Sequence, residues 1–146
     1  MVKLWRIPAE GLKENMTEPV VSLQGHQRRV GVLAWHPTAS NILLSAGQEG
    51  RLIVWDVSKG EAAIIFDLPA FVLSMSFNFI GDKLAVTCKD KFLRVLDVRQ
   101  KKILQEVKAH EGSKPSICTF VRDDKIFTTG FSKMSKRCYA LWDCVS

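Results

Sequence analysis

Histidine and hydroxyl side chains are the residues of this sequence whose types and spacing resemble a nucleophilic catalytic pair. His26 is followed by Ser45, and His110 is followed at nearly the same spacing by Thr128. A hydroxyl group becomes a nucleophile when a neighbouring imidazole accepts its proton. Because the pair occurs twice, at corresponding places of a repeated pattern, we predict that it holds structure together. The chain is therefore predicted not to be an enzyme.

Metal, cofactor and nucleotide chemistry has no starting point in the sequence. The cysteines are irregularly spaced and form no C-x-x-C pair of the kind that binds zinc, so we predict reduced thiols of a cytosolic protein. They are Cys88, Cys118, Cys138 and Cys144. No Gly-rich phosphate-binding loop and no H-E-x-x-H motif occurs. His36 lies in a Trp-His-Pro turn, where we expect the imidazole to face solvent or to bond the turn. No metal or cofactor is predicted.

A repeated pattern determines where these residues lie. Gly25-His26 leads through several apolar runs to Trp55-Asp56, and Ala109-His110 leads in the same way to Trp142-Asp143. A decayed copy between them ends at Leu96-Asp97. A Gly-His near the start and a Trp-Asp near the end, recurring at about 40–45 residues, is the signature of the WD repeat.

Each repeat divides into four short runs rich in Val, Ile, Leu and Phe, separated by Gly, Asp, Asn or Pro, which predicts strands and turns. No run has helical periodicity. We predict an all-β WD-repeat β-propeller, about three four-stranded blades plus one preceding strand. The predicted segments are an end strand and linker (1–16), a first repeat (17–56), a degenerate second repeat (57–97) and a third repeat (98–146).

The polar residues of the repeats match a hydrogen-bonded tetrad that WD repeats use to join the strands of a blade. In the first repeat the matching residues are His26, Ser45, Trp55 and Glu49, with Glu49 where Asp is usual; in the third they are His110, Thr128 and Trp142, without a clear acidic partner. The second repeat keeps only Asp90, because Val86 and Leu96 replace the hydroxyl and the indole. We expect apolar packing alone to hold that blade.

Net charge points to an acidic partner. The chain carries +6, and the excess lies in its second half. A positive field of this kind favours an acidic protein surface, phosphoinositide headgroups or nucleic acid, although a generally solvated surface is the alternative. The aromatic residues fall in apolar strands instead of among the basic ones, so nucleic acid is not expected. The candidate contacts lie in predicted turns: Arg28, Arg29, Lys89, Lys91, Lys133, Lys136 and Arg137.

Several segments are more specific than the WD pattern. LKENMTEPV, RVGVLAWHPTASNILLSAG, KAHEGSKP and FTTGFSKMSKRCYALWD resemble the middle blades of coronins, and the resemblance covers nearly the whole chain. It implies part of a seven-bladed propeller that binds filamentous actin and acts with other actin regulators, in the cytoplasm and at the cytoskeleton. By this resemblance, we expect the sequence to lack the family's N-terminal segment, first blade, later blades and C-terminal coiled coil. The alternative is a general WD-repeat adaptor for an acidic peptide or a phosphoinositide membrane.

Three blades raise a physical problem, because a propeller protects its strand edges by closing and closure takes at least four blades. We therefore expect the two end blades to expose apolar faces. We also expect such a chain on its own to be less stable, oligomeric or adhesive. No stretch approaches the roughly 18 consecutive apolar residues of a membrane span, and no secretory signal is apparent.

Overall fold

The computed structural model describes residues 1–144, and these residues form β-strands joined by turns and loops. The last two residues of the predicted third repeat, 145 and 146, lie outside the described part. The strands are β1 (Val2–Leu4), β2 (Val21–Leu23), β3 (Val30–Trp35), β4 (Ile42–Gly47), β5 (Arg51–Asp56), β6 (Glu61–Asp67), β7 (Val72–Phe77), β8 (Leu84–Cys88), β9 (Phe92–Asp97), β10 (Lys102–Lys108), β11 (Ile117–Val121), β12 (Lys125–Phe131) and β13 (Arg137–Asp143). None of the described residues forms a helix that could cross a membrane.

The strands form antiparallel sheets that stack as propeller blades. β3–β4–β5–β6 and β7–β8–β9–β10 are four-stranded sheets, β11–β12–β13 is three-stranded, and β1 pairs with β2. β3 lies beside β7 and β7 beside β11, so these first strands form the inner edge of the stack. We call the three larger sheets blade 1, blade 2 and blade 3. The predicted all-β class and blade architecture are confirmed, with two four-stranded blades and one three-stranded blade among the described residues.

The sheets and the sequence repeats are offset by one strand. The first repeat supplies β2, which pairs with β1, before it supplies β3, β4 and β5 of blade 1. The outer strand of blade 1, β6, belongs to the second repeat, and β10 of blade 2 belongs to the third. Each blade is thus completed by the repeat that follows it. The sheets do not coincide with the predicted repeat boundaries and therefore do not test them. The boundaries remain a prediction.

Apolar residues fill the spaces between the stacked sheets. One core cluster joins blade 1 to blade 2, a second joins blade 2 to blade 3, and a third joins the β1–β2 pair to blade 1. The middle strands β4, β5, β8 and β9 are buried on both faces. This burial explains why their sequences read as continuous apolar runs instead of alternating ones.

Polar contacts between neighbouring turns fix the blades to one another. The His36 imidazole accepts hydrogen bonds at Nδ1 from the Ala39 and Thr38 backbone N–H groups, at 2.9 Å and 3.2 Å, and donates from Nε2 to the Gly81 carbonyl of blade 2 at 2.9 Å. Gly81 has a φ of 83°, and a Cβ there would collide with the imidazole. The turn-bonding alternative predicted for His36 is therefore observed, and the same side chain also joins two blades.

Both ends of the stack present apolar side chains to solvent. Leu33 and Trp35 of β3 are exposed because the short β1–β2 pair covers only part of that face of blade 1. At the other end, Ile117, Tyr139 and Leu141 are exposed on blade 3, with Tyr139 77% exposed. In a propeller these faces pack against further blades. Over residues 1–144 the sheets do not close into a ring.

Candidate functional site

Turns and loops at one edge of the blades carry most of the residues that the sequence singled out. In an antiparallel sheet, the turn from the second to the third strand lies at the same edge as the start of the first. Backbone hydrogen bonds join the loops there: Gln48 N–H donates to the Arg29 carbonyl at 2.9 Å and Lys89 N–H to the Phe71 carbonyl at 3.0 Å. We call this edge, residues 24–29, 48–51, 67–71, 89–91, 108–116 and 132–137, the basic rim.

Charge is divided unequally between the two edges of the stack. The basic rim holds ten Lys and Arg against four Asp and Glu. The opposite rim, residues 5–20, 36–41, 56–61, 78–83, 97–102, 122–125 and 143, holds nine against ten. The excess on the basic rim therefore equals the whole net charge of +6. All seven basic residues predicted as contacts lie on this rim, although the sequence showed only an excess in the second half of the chain.

Some of these basic residues are occupied by partners on the rim and others are not. Arg51 binds Asp67 at 2.8 Å, and Lys133 lies 3.6 Å from the Glu111 carboxylate. Lys91 Nζ donates to the Glu111 backbone carbonyl at 2.8 Å. Within residues 1–144, Arg28, Arg29 and Lys89 make no ion pair and are exposed. These exposed charges are available to an acidic partner.

The first polar network lies just beneath this rim in blade 1. Trp55 Nε1–H donates to Ser45 Oγ at 2.8 Å, and Ser45 Oγ lies 2.6 Å from His26 Nε2. His26 Nδ1 lies 2.6 Å from Glu49 Oε1. Because the indole only donates and the carboxylate only accepts, the bonds run in one direction, from Trp55 through Ser45 and His26 to Glu49. Burial raises the pKa of Glu49, but hydrogen bonds from the His26 side chain and from backbone N–H groups outweigh it and lower the pKa below its usual value.

The corresponding network of blade 3 ends on a thiol. Trp142 Nε1–H donates to Thr128 Oγ1 at 2.8 Å, and Thr128 Oγ1 lies 2.9 Å from His110 Nε2. His110 Nδ1 lies 3.2 Å from Cys138 Sγ, so a cysteine occupies the acidic residue's place. Burial lowers the pKa of His110, which favours the neutral imidazole. Sequence reasoning missed Cys138, because the acid of blade 1 comes from a turn and this thiol comes from a strand.

Blade 2 contradicts the expectation that apolar packing alone would hold it. Arg94 is only 3% exposed, and its guanidinium binds Asp90 at 2.6 Å and Glu106 at 2.5 Å. Arg94 replaces Ile53 of blade 1, and it uses the acid that remains after the hydroxyl and indole are lost. Burial raises the pKa of Asp90, but hydrogen bonds from Arg94 and the Phe92 backbone outweigh it and lower the pKa. Asp90 thus joins an ion-pair network, and not a histidine network.

The described residues offer little to metal or thiol chemistry. No group of three or more His, Cys, Asp or Glu side chains in residues 1–144 is placed to hold a metal ion. The four cysteines are free thiols. Burial raises the pKa of Cys88 and of Cys118 to about 11, so both remain protonated at neutral pH.

Stacked four-stranded sheets with an indole, hydroxyl and imidazole network define a WD-repeat β-propeller protein. In agreement, residues 17–56 match the family model described as WD domain, G-beta repeat. Solved structures of U3-55K and of the RRP9 WD40 repeats, at 15% and 16% identity and with TM-scores of 0.61, share the fold; each covers 83% of this chain, which in turn covers 41% and 40% of them.

Greater similarity relates the chain to coronins. Coronin-2A of Homo sapiens is 40% identical over 149 residues, which are 97% of this chain and 28% of that protein. The coronin-like protein crn1 of Schizosaccharomyces pombe is 38% identical over 97% of this chain and 24% of its own length. The WD40 domain of Toxoplasma gondii coronin superposes with a TM-score of 0.90 at 35% identity, covering 97% of this chain and 38% of that domain chain. The chain belongs to the coronin family and spans about a quarter of these curated relatives.

Proposed function

We propose that the chain is part of an actin-filament-binding, cytoskeleton-regulating scaffold of the coronin type, located in the cytoplasm at the actin cytoskeleton. The observation that carries the proposal is the location of the whole net positive charge on one rim of a coronin-type propeller. The basic rim then contacts an acidic surface of the filament, or of a regulator bound to it. Six of the seven predicted contacts have no ion-pair partner among the described residues: Arg28, Arg29, Lys89, Lys91, Lys136 and Arg137.

Steering is the physical contribution of such a rim. Clustered charges of one sign raise the rate at which an oppositely charged partner is encountered, and exposed pairs of this kind are screened by salt. Loops supported by a rigid scaffold keep the charges at fixed places when the partner arrives. The interaction is therefore expected to weaken as ionic strength increases.

The buried networks support a scaffold role and not a catalytic one. Ser45 and Thr128 are completely buried, and each hydroxyl already bonds an indole and an imidazole. A nucleophile must reach its substrate and have a base free to take its proton. We infer that these residues keep the strands of each blade in place beneath the binding rim.

Co-sedimentation with actin filaments tests the proposal. The chain is spun with and without filaments over a salt series, so that self-aggregation is measured separately. A variant with Arg28→Gln and Arg29→Gln is compared with a matched variant of the opposite rim, Lys101→Gln and Lys102→Gln. Saturable pelleting that salt weakens and that only the first variant reduces would support the proposal. No pelleting by folded chain, or equal loss in both variants, would refute the assignment of the filament contact to the basic rim.

An adaptor for an acidic peptide or a phosphoinositide membrane is the alternative use of the same rim. The same two variants distinguish it when filaments are replaced by vesicles with and without phosphatidylinositol bisphosphate. Binding to the charged vesicles without binding to filaments would favour the membrane alternative. Binding to neither, by a folded chain, would leave the blades as a structural part of a larger propeller.

A further inference from the structure

A cavity on the basic rim lies in the cleft between blade 2 and blade 3. Its volume is about 160 Å³. Lys89 and Lys91 of the β8–β9 turn line one wall, and Ser113 and Lys114 of the β10–β11 loop line the other. Both walls belong to blades that the chain itself supplies, so the cavity does not depend on the exposed ends of the stack.

The three lysines are held in place by neutral groups. Lys89 Nζ lies 5.1 Å from the centre of the Phe71 ring, which also lines the cavity. Lys114 Nζ lies 4.9 Å from the centre of the Phe131 ring. Lys91 Nζ uses one of its three N–H donors on the Glu111 carbonyl. Aromatic faces and a carbonyl orient an ammonium group without cancelling its charge.

Nearby carboxylates are engaged elsewhere. Asp90, which stands between the two lysines of the turn, has both oxygens bound to the guanidinium of Arg94. Glu111 directs its carboxylate towards Lys133. No Asp or Glu lines the cavity in the described part of the chain. His110 also lines it, and burial lowers the pKa of His110, which favours the neutral imidazole. The cavity therefore has three cations and no anion.

We propose that this cavity binds a phosphorylated serine or threonine side chain of a partner protein. A carboxylate supplies one negative charge, whereas a phosphate monoester supplies about 1.5–2 and has three acceptor oxygens, which suits three ammonium groups. The inference rests on the proposed function in one respect, because it assigns a chemically defined subsite to the same rim. It makes binding of the partner dependent on phosphorylation of that partner.

A protein segment suits the cavity better than a lipid bilayer. The lysines line a cleft between two blades, and its volume accommodates one side chain. Among the described residues, Met134 is the one exposed large apolar side chain of the rim, so little is available to insert into a membrane. A peptide strand lying across the cleft can place a single phosphate into it.

The test uses the 146-residue chain and a short capped peptide with one phosphoserine, compared with the same peptide containing Ser or Glu. Binding is followed by NMR shifts of the backbone amides of Lys89, Lys91 and Lys114. We expect the phosphopeptide to shift these amides and the Ser peptide to leave them unchanged. Lys89→Gln and Lys114→Gln should each raise the dissociation constant of the phosphopeptide about tenfold, the effect of losing one charge-assisted hydrogen bond.

Two control variants separate a built subsite from diffuse charge. Arg28→Gln lies on the same rim but on blade 1, and Lys101→Gln lies on the opposite rim; both should bind the phosphopeptide within about twofold of the unmodified chain. Equal weakening by Arg28→Gln and Lys89→Gln would overturn the proposal, and so would equal binding of phosphopeptide and inorganic phosphate at all variants. Binding to phosphatidylinositol bisphosphate vesicles without binding to the phosphopeptide would also overturn it.

Filament co-sedimentation of the same variants separates this inference from the proposed function. Loss of phosphopeptide binding with unchanged filament pelleting in Lys114→Gln, a cavity lysine that is not a predicted filament contact, would support a separate phosphate subsite. Normal filament pelleting by a chain that never binds the phosphopeptide would refute the subsite and leave the proposed function standing. Phosphopeptide binding by a chain that never pellets with filaments would do the reverse.

Discussion

Replacing Ser45 by Ala tests whether the buried network of blade 1 stabilises the fold. Ser45 is fully buried, and its hydroxyl both accepts the Trp55 indole N–H and bonds His26. Alanine removes one oxygen and leaves almost no cavity, but it leaves the indole N–H and the imidazole Nε2 without that partner. Each unsatisfied buried group costs about 1–3 kcal/mol, so with two such groups the free energy of unfolding should fall by about 2–6 kcal/mol.

Urea unfolding followed by circular dichroism measures the change, and Ser22→Ala on the exposed face of β2 is the matched control. Trp55→Phe and the double variant complete a cycle with Ser45→Ala. Because Ser45→Ala no longer strands an indole N–H once Trp55 is Phe, its cost should fall by about 1–2 kcal/mol in that background. A loss below about 0.5 kcal/mol for Ser45→Ala, or strict additivity of the two substitutions, would refute a stabilising role for this network.

Three further outcomes are expected. Asp90→Ala should lower the free energy of unfolding by about 2 kcal/mol, because it leaves the buried Arg94 with one carboxylate. Arg94→Met should lower it by less, because no buried cation remains. Urea unfolding of both variants measures the difference, and the opposite order would refute this prediction. Because burial lowers the folded-state pKa of His110 below its unfolded value near 6.5, the unfolded chain takes up the proton first; stability should fall as pH decreases below about 6.5 and should not change from this cause above it. His110→Gln should remove this contribution to the pH dependence of the free energy of unfolding, measured by urea unfolding at several pH values. An unchanged pH dependence would contradict the prediction. Gly81→Ala should destabilise the chain by more than about 1 kcal/mol, through its positive φ and its collision with His36, and urea unfolding equal to that of the unmodified chain would rule this out.

Most of the fold could be predicted from local sequence patterns. Apolar runs separated by Gly and Asp predict strands, and the recurring Gly-His and Trp-Asp predict a propeller, because blade packing repeats at that period. The one-strand offset was not visible, since a repeat read from its own residues does not reveal which sheet its first strand joins. Only hydrogen bonding between β5 and β6 shows that the second repeat completes blade 1.

Some of the polar contacts could be predicted from the sequence and others could not. Ser45 and Trp55 belong to adjacent strands at a regular spacing, so their pairing follows from the repeat. Arg94 lies in an apolar run, and one cation among Phe, Leu and Val does not indicate where its partners are. Its partner Glu106 lies opposite it in the register of β9 and β10. The rim charge was equally hidden, since alternate turns send their side chains to opposite edges of the stack.

The offset between repeats and sheets has a consequence for how such a protein could grow. When a repeat is duplicated as one unit, its first strand becomes the outer strand of the preceding blade. Its own blade then lacks an outer strand until another repeat follows. Adding a unit therefore extends the array without changing the kind of edge at either end. The same overlap means that a peptide bond broken in the turn at 57–60 would not free two independent pieces, because β6 would remain hydrogen-bonded to β5. Each blade therefore contains strands of two successive repeats, so the order of the repeats along the sequence determines the order of the blades in space.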